Sequence, residues 1–214
     1  MAFNLYWYSK SLANLLGGET AGETFAVDFL SDTIKVALTT SSYAYNLDTH
    51  EVFSDVTNEV VGTNYTAGGA TLASKTITVT AANSFGTTWA TGTVYAVGDV
   101  VRPVSGNGHL YKCIIAGTSH ATTEPTWTTT KGQVNTDNTV TWAEAGRAIT
   151  QIDAADPSWA SSTITARYCV GYKSTGTGST SPLLFIGDFV SDQTTNNGTF
   201  QVTFASLGIL VSFV

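Results

Sequence analysis

Ile164-Thr165-Ala166-Arg167-Tyr168-Cys169-Val170-Gly171-Tyr172 is the stretch from which the fold class is read. Ile164, Ala166, Tyr168, Val170 and Tyr172 fall on one side, at the two-residue period of a β-strand. The same alternation recurs upstream. Ile34, Val36 and Leu38 share a face with Lys35 on the other, and Ile77 and Val79 alternate with Thr76, Thr78 and Thr80, so both segments are predicted to be half-buried strands. Downstream, a Gly/Ser/Thr loop from Ser174 to Ser181, expected to be mobile, leads to three further strands. These are Leu183 to Phe189, Phe200 to Phe204 after an Asn196-Asn197-Gly198 turn, and Ile209 to Phe213 after Gly208. Tyr65-Thr66-Ala67-Gly68-Gly69 reads as a loop, and Asp48, Thr49 and Glu51 ahead of Val52 and Phe53 as the start of one helical turn. Helical spacing is clear only at Ser9 to Leu16, where Leu12, Leu15 and Leu16 follow a serine start and precede a Gly17-Gly18 stop. The expected fold is all-β, an antiparallel β-sandwich or barrel with a short N-terminal helix packed on a sheet.

Composition agrees with that reading. Charged residues make up only 12% of the 214, so Thr, Ser, Asn and Gly must carry the polar surface. β-Branched Thr suits a pleated, half-exposed surface better than a surface helix. The net charge of −7, with nine Lys and Arg in all and no basic run, argues against a nucleic-acid partner. No apolar run is long enough to span a bilayer, so no membrane is expected as a partner; the N-terminus MAFNLYWYSK lacks a basic region followed by an apolar core, and no signal peptide is expected. Cys113 and Cys169 are too few for a disulfide framework and are read as separate reduced thiols.

The texture changes between residues 87 and 146, where every Trp except Trp7 and Trp159 is found. This predicts a small β-module, 87–146, inserted into a discontinuous host domain, 1–86 and 147–214; an insertion at a loop tip is tolerated when its own ends lie close together. Trp89, Tyr95, Tyr111, Trp127 and Trp142 are its large aromatics. Flat aromatic faces suit the C–H faces of sugar rings, which makes these five the candidate glycan-binding residues. A module this small has few other large side chains, so at least two of the five are expected to form its core. Trp127 is the first choice for the exposed platform, presented by the Glu124-Pro125 turn.

Catalytic patterns find no support. His50, His109 and His120 lack any metal-ligand spacing, and Gly176-Thr177-Gly178-Ser179-Thr180 lacks the Lys of a phosphate-binding loop. Asp153, Asp156, Asp188 and Asp192 are the carboxylates that glycoside hydrolysis would need in facing pairs, but turn, capping and ion-pair roles account for them. The expectation is a protein that is not an enzyme, with no catalytic residue, metal or cofactor.

Two resemblances follow from residues in order. Trp89-x5-Tyr95-x2-Gly98-Asp99-Val100-Val101, Leu110-Tyr111-Lys112-Cys113, Gly117-Thr118-Ser119, Glu124-Pro125-x-Trp127 and Thr139-Val140-Thr141-Trp142 resemble the small carbohydrate-binding modules related to chitin-binding domains. Such modules recur in phage tail and capsid proteins. The flanks, Ile34-Lys35-Val36-Ala37-Leu38, Asp48-Thr49-His50-Glu51-Val52, Tyr65-Thr66-Ala67-Gly68-Gly69 and Asp156-Pro157-Ser158-Trp159 with Ala166-Arg167-Tyr168, resemble small structural proteins of tailed-bacteriophage virions. That resemblance implies a capsid decoration (cement) protein, synthesised in the host cytoplasm and located on the outer capsid surface of the virion. Its partners would be the major capsid protein and itself as a homotrimer, with surface glycans reached through the insert. Phe3, Tyr6, Trp7, Tyr8 and Phe213, in the two apolar terminal segments, are the candidate capsid and intersubunit contacts, joining neighbours by strand addition or packing. The rival expectation is a tail- or head-fibre adhesin in which the insert grips host-surface glycans.

Overall fold

The structure, a computed structural model, describes residues 3–17 and 25–214. The described residues are all-β with one short α-helix, and the chain forms two compact units, Met1–Thr76 with Asp153–Ile209 and Ile77–Ile152 with Leu210–Val214. In chain order the elements are β1 (Asn4–Trp7), α1 (Ser11–Leu15), β2 (Ile34–Thr39), β3 (Ala70–Thr71), β4 (Thr76–Ala81), β5 (Val94–Tyr95), β6 (Val100–Val101) and β7 (Leu110–Ile115). Then come β8 (Gly117–Thr118), β9 (Val134–Asp137), β10 (Val140–Gly146), β11 (Ala148–Asp153), β12 (Ser158–Ser162), β13 (Thr165–Lys173), β14 (Leu183–Thr194), β15 (Gly198–Gln201) and β16 (Leu210–Phe213). The second unit is larger than the aromatic segment 87–146: it takes in most of β4 and β11 on either side, and the last strand as well.

The first unit is organised on a five-stranded sheet of order β1-β14-β13-β2-β3. Its middle strand, β13, is the segment whose alternation suggested the fold. Val170 faces Ala37 on one neighbour and Ile186 on the other. Cys169, Val170, Gly171 and Tyr172 are all buried in succession, because a central strand covered on both faces loses the one-sided pattern. Tyr8, Tyr43, Val170, Tyr172, Leu183 and Ile186 form a core cluster in this unit. Gly171 is required there, since the ring of Phe185 occupies the space a Cβ would take. Gly69 is required for a second reason: its φ of +72° is left-handed, and a Cβ would strike the carbonyl of Val36.

Several expectations are corrected. Helix α1 exposes Leu12 and Leu16 and buries Ser11 and Asn14 instead. The Ser11 hydroxyl donates to the Tyr8 carbonyl and the Asn14 carbonyl accepts from Val27, so this single turn is fixed by polar ties and not by a leucine face. Lys10, not Ser9, precedes the helix as its cap, and Gly18 lies outside the described residues. The helical turn expected from Asp48 forms at Phe53–Asp55, where the Asp55 carboxylate accepts from the backbone N–H of Glu51 and Val52. The Ser174–Ser181 loop is tied by hydroxyls: Thr175 Oγ1 lies 2.7 Å from Thr180 Oγ1, and Ser181 Oγ donates to Thr177 O at 2.8 Å. Strand β4 is exposed on both faces rather than half-buried.

The terminal segments, expected to join neighbouring subunits, find partners within the chain. β1 pairs with β14 and β16 pairs with β11 within the chain, so most of the candidate intersubunit residues are already committed. Tyr8 is core, its hydroxyl 3.2 Å from that of Tyr43. Phe3 packs edge-on against Phe189 and Phe204, Trp7 lies against Phe185, and Phe213 is half-buried with Lys112 Nζ 5.9 Å from its ring. Tyr6 alone of the five is exposed. Both cysteines are free and buried, and burial pushes the Cys169 thiol up to about 12. No helix among the described residues is long and apolar enough to cross a membrane.

Candidate glycan-binding site

The second unit holds a four-stranded antiparallel sheet of order β6-β7-β10-β9, a small β5-β8 pair, and a three-stranded sheet of order β16-β11-β4. Strands β9 and β10 form a hairpin whose two-residue turn places Asn138 at φ 54°, a conformation that Asn tolerates. Strand β10 alternates strictly, with Val140, Trp142, Glu144 and Gly146 buried, which points Trp142 into the module's interior.

Trp89, Tyr95, Val101, Tyr111, Cys113, Val140 and Trp142 make that interior. Trp89, Tyr95, Tyr111 and Trp142 are each no more than 6% exposed, so they present no face to a sugar, and their reading as a stacking platform is corrected. The physical reason is size: a sheet of short strands has only these rings to exclude water with. Tyr95 meets Trp142 edge-on at 4.8 Å. Burial pushes the Tyr95 and Tyr111 hydroxyls above the usual phenol range, and both serve as neutral hydrogen-bonding groups. The Ala90 backbone donates to the Tyr95 oxygen, while Tyr111 accepts from Asn107 and donates to the Thr128 carbonyl.

Burying two indoles requires an acceptor for each N–H. Asp137 supplies it at the end of β9: its Oδ2 accepts from Trp89 Nε1 at 2.7 Å and from Trp142 Nε1 at 3.2 Å, and its Oδ1 from the His120 backbone at 2.8 Å. The Asp137 side chain thus ties β9, β10, the strand-free segment around Trp89 and the loop after β8 to one carboxylate. A second buried pair, His109 Nδ1 and Glu144 Oε1 at 2.7 Å, joins the start of β7 to β10.

Trp127 is the aromatic that reaches the surface. It is half-buried, tilted against Tyr111 at 4.2 Å and edge-on to Trp142 at 5.9 Å. Its Nε1 donates to Glu124 Oε1 at 2.8 Å, and the same oxygen accepts from the Val104 backbone at 2.9 Å. The loop between is fixed by His120, whose Nδ1 accepts from the Thr123 backbone, and by Asn135, which accepts from Thr128. Beside it opens a shallow polar cleft of about 350 Å³, lined by His120, Thr123, Glu124, Thr126, Asp137 and Asn138 among others. The cleft offers hydroxyl, carboxylate and amide groups to the hydroxyls of a sugar, and the partly exposed Trp127 indole lies next to its Glu124–Thr126 wall without lining it.

Sequence reasoning named Trp127 but missed His120, Asp137 and Asn138. The signal for Asp137 was present in the need of buried tryptophans for an acceptor, though not which acidic residue would meet it. Among the described residues no group of three or more His, Cys, Asp or Glu could hold a metal ion. His50 is 3.0 Å from the Tyr43 hydroxyl, Asp188 pairs with Arg167 Nε at 2.8 Å, and Asp156 accepts from the Phe204 backbone.

The second unit is thus a small aromatic β-module with a closed core and one ring at its rim. The model of carbohydrate-binding module family 5/12 matches residues 88–134, from just before Trp89 through Tyr95, Tyr111 and Trp127. The match lies wholly within the second unit and leaves the first unmatched. Neither a curated protein nor a solved structure matches this chain.

Proposed function

We propose that this protein is a non-catalytic glycan-binding protein whose second unit holds a sugar in the cleft beside Trp127. The observation that carries the reading is the family match at 88–134, a segment that contains Trp127 and supplies His120, Thr123, Glu124 and Thr126 to the cleft wall. The finer reading, supported by the resemblance of the flanking segments to phage structural proteins, is a decoration protein on the outer surface of a tailed-phage capsid. There it would associate as a trimer with the major capsid protein and add binding free energy to the assembled shell alone. An apolar groove of about 360 Å³ in the first unit, with Phe3, Leu5, Phe204 and Ile209 in its wall, is the part of the terminal segment still available for such packing. A fibre adhesin is the alternative that shares the glycan-binding step.

Retardation of the full chain in native gels containing dissolved chitin derivatives tests the binding reading. The wild type is expected to be slowed. Thr126→Arg, an exposed substitution that fills the cleft, is expected to run free with unchanged stability. Equal mobility of wild type and variant across a polysaccharide panel would refute the site. Copy number in purified particles, comparable to the major capsid protein for decoration and far lower for a fibre, separates the two virion readings.

A further inference from the structure

Strand β4 reads Thr76-Ile77-Thr78-Val79-Thr80-Ala81 and is an edge strand of the β16-β11-β4 sheet. It is the longest edge strand among the described residues, with Thr76, Ile77, Thr78, Val79 and Ala81 exposed, Val79 at 69%. Exposed edges ordinarily carry a charge, a proline or a bulge that blocks pairing with another chain. Strand β4 contains neither a charge nor a proline; the nearest charge, Lys75, precedes it. Among the described residues no strand pairs with its outer edge.

The sequence of this edge identifies what fits it. Reversed about Thr78, the strand nearly repeats itself: Thr76 falls opposite Thr80, Ile77 opposite Val79, and Thr78 opposite itself. Antiparallel pairing of two identical strands has a two-fold axis through the central residue, and such an isologous contact demands this self-complementarity. We infer that β4 is a self-association edge, pairing antiparallel with β4 of a second copy of this chain about Thr78. One face of the joint then carries two Ile77–Val79 pairs, covering side chains that the single chain leaves in water, and the other carries cross-strand threonines. Aliphatic and Thr–Thr cross-strand pairs are both favourable. The two three-stranded sheets become one of six, ordered β16-β11-β4-β4-β11-β16.

This contact is two-fold and independent of the threefold clustering proposed above. A short strand pair buries little surface, so association is expected in the micromolar range or weaker. Sedimentation of the full chain over a concentration series is the test. Wild type is expected to show an assembly of an even number of chains. Thr78→Lys and Thr78→Glu each place like charges opposite one another at the axis, and each is expected to halve that assembly, weakening the contact at least about tenfold. Mixing the two variants in equal amounts is expected to restore it, because only a residue facing its own copy can be rescued in this way. Thr78→Cys, oxidised, should yield a covalent dimer that the wild type, with both thiols buried, does not. A wild type with an odd number of chains, variants that assemble like wild type, or a mixture that stays dissociated would each overturn the inference.

Discussion

Replacing Asp137 with Asn tests how the module is held together. Three N–H groups converge on this carboxylate, from Trp89, Trp142 and the His120 backbone, in a side chain only 2% exposed. An amide retains one acceptor oxygen. If it turns toward the indoles, its NH2 meets the His120 N–H donor to donor; if it turns toward His120, both indoles lose their acceptor. Hydrogen bonds to a charged group contribute about 1.5–3 kcal/mol and neutral ones about 0.5–1.5 kcal/mol. Two bonds weakened by about 1–1.5 kcal/mol each and a third lost outright therefore cost roughly 3.5–6 kcal/mol. That is a large share of the stability of a small domain, about 5–15 kcal/mol. Urea unfolding followed by tryptophan fluorescence, with Trp7 and Trp159 replaced by Phe so that the signal comes from the second unit, reads the effect. With a urea slope of about 1–3 kcal/mol per molar, the midpoint is expected to fall by at least about 1 M. A shift below about 0.5 kcal/mol would refute the carboxylate's role as the tie between the two indoles.

Three other outcomes are expected. Asp188 is held below the usual carboxylate range, chiefly by its hydrogen bond from Arg167. The stability it contributes is therefore complete above the unfolded carboxylate range near pH 4 and lost as pH falls through its depressed value, and acid titration of Asp188→Asn should lack that loss. Val190 is a β-branched residue at φ 67° and 61% exposed, so Val190→Asn should raise the thermal midpoint by relieving about 1 kcal/mol of backbone strain. Burial raises both the Cys113 and Cys169 thiols, so neither should react with a thiol reagent until the protein is unfolded, when two equivalents per chain should appear.

The β-class was legible from period-2 alternation and turn signals: strands at Ile34–Thr39 and Leu183–Thr194 cover the stretches that predicted them, whereas the strand expected at Phe200 to Phe204 forms at Gly198–Gln201, starting on the residue read as its turn. What failed were inferences from apolarity to burial. Leu12 and Leu16 have helical spacing, yet a single turn offers too little area to dock, and local polar ties decided its orientation. Ile77 and Val79 alternate with threonines much as Ile34, Val36 and Leu38 alternate with Lys35 and Ala37 in β2, but β4 lies at a sheet edge, and position in a sheet is set by partners far away in sequence. The apolar terminal segments suggested contacts with neighbouring subunits for the same reason, whereas β14 and β11 of the same chain were their partners. At the site, aromatic order located the module, but order does not say which ring lies under which. Of the five aromatics, Trp127 alone is not buried.

The most direct test of glycan binding uses the five indole N–H signals of the protein as separate probes. Titration of the ¹⁵N-labelled full chain with soluble chitooligosaccharides is predicted to move the Trp127 Nε1–H resonance, because that N–H donates to Glu124 in the cleft wall. The Trp89 and Trp142 signals, bonded to Asp137 in the core, should move little, and those of Trp7 and Trp159 not at all. If no indole signal moves at millimolar sugar, or if only Trp7 or Trp159 responds, the Trp127 cleft does not bind this ligand class and the proposed function is contradicted.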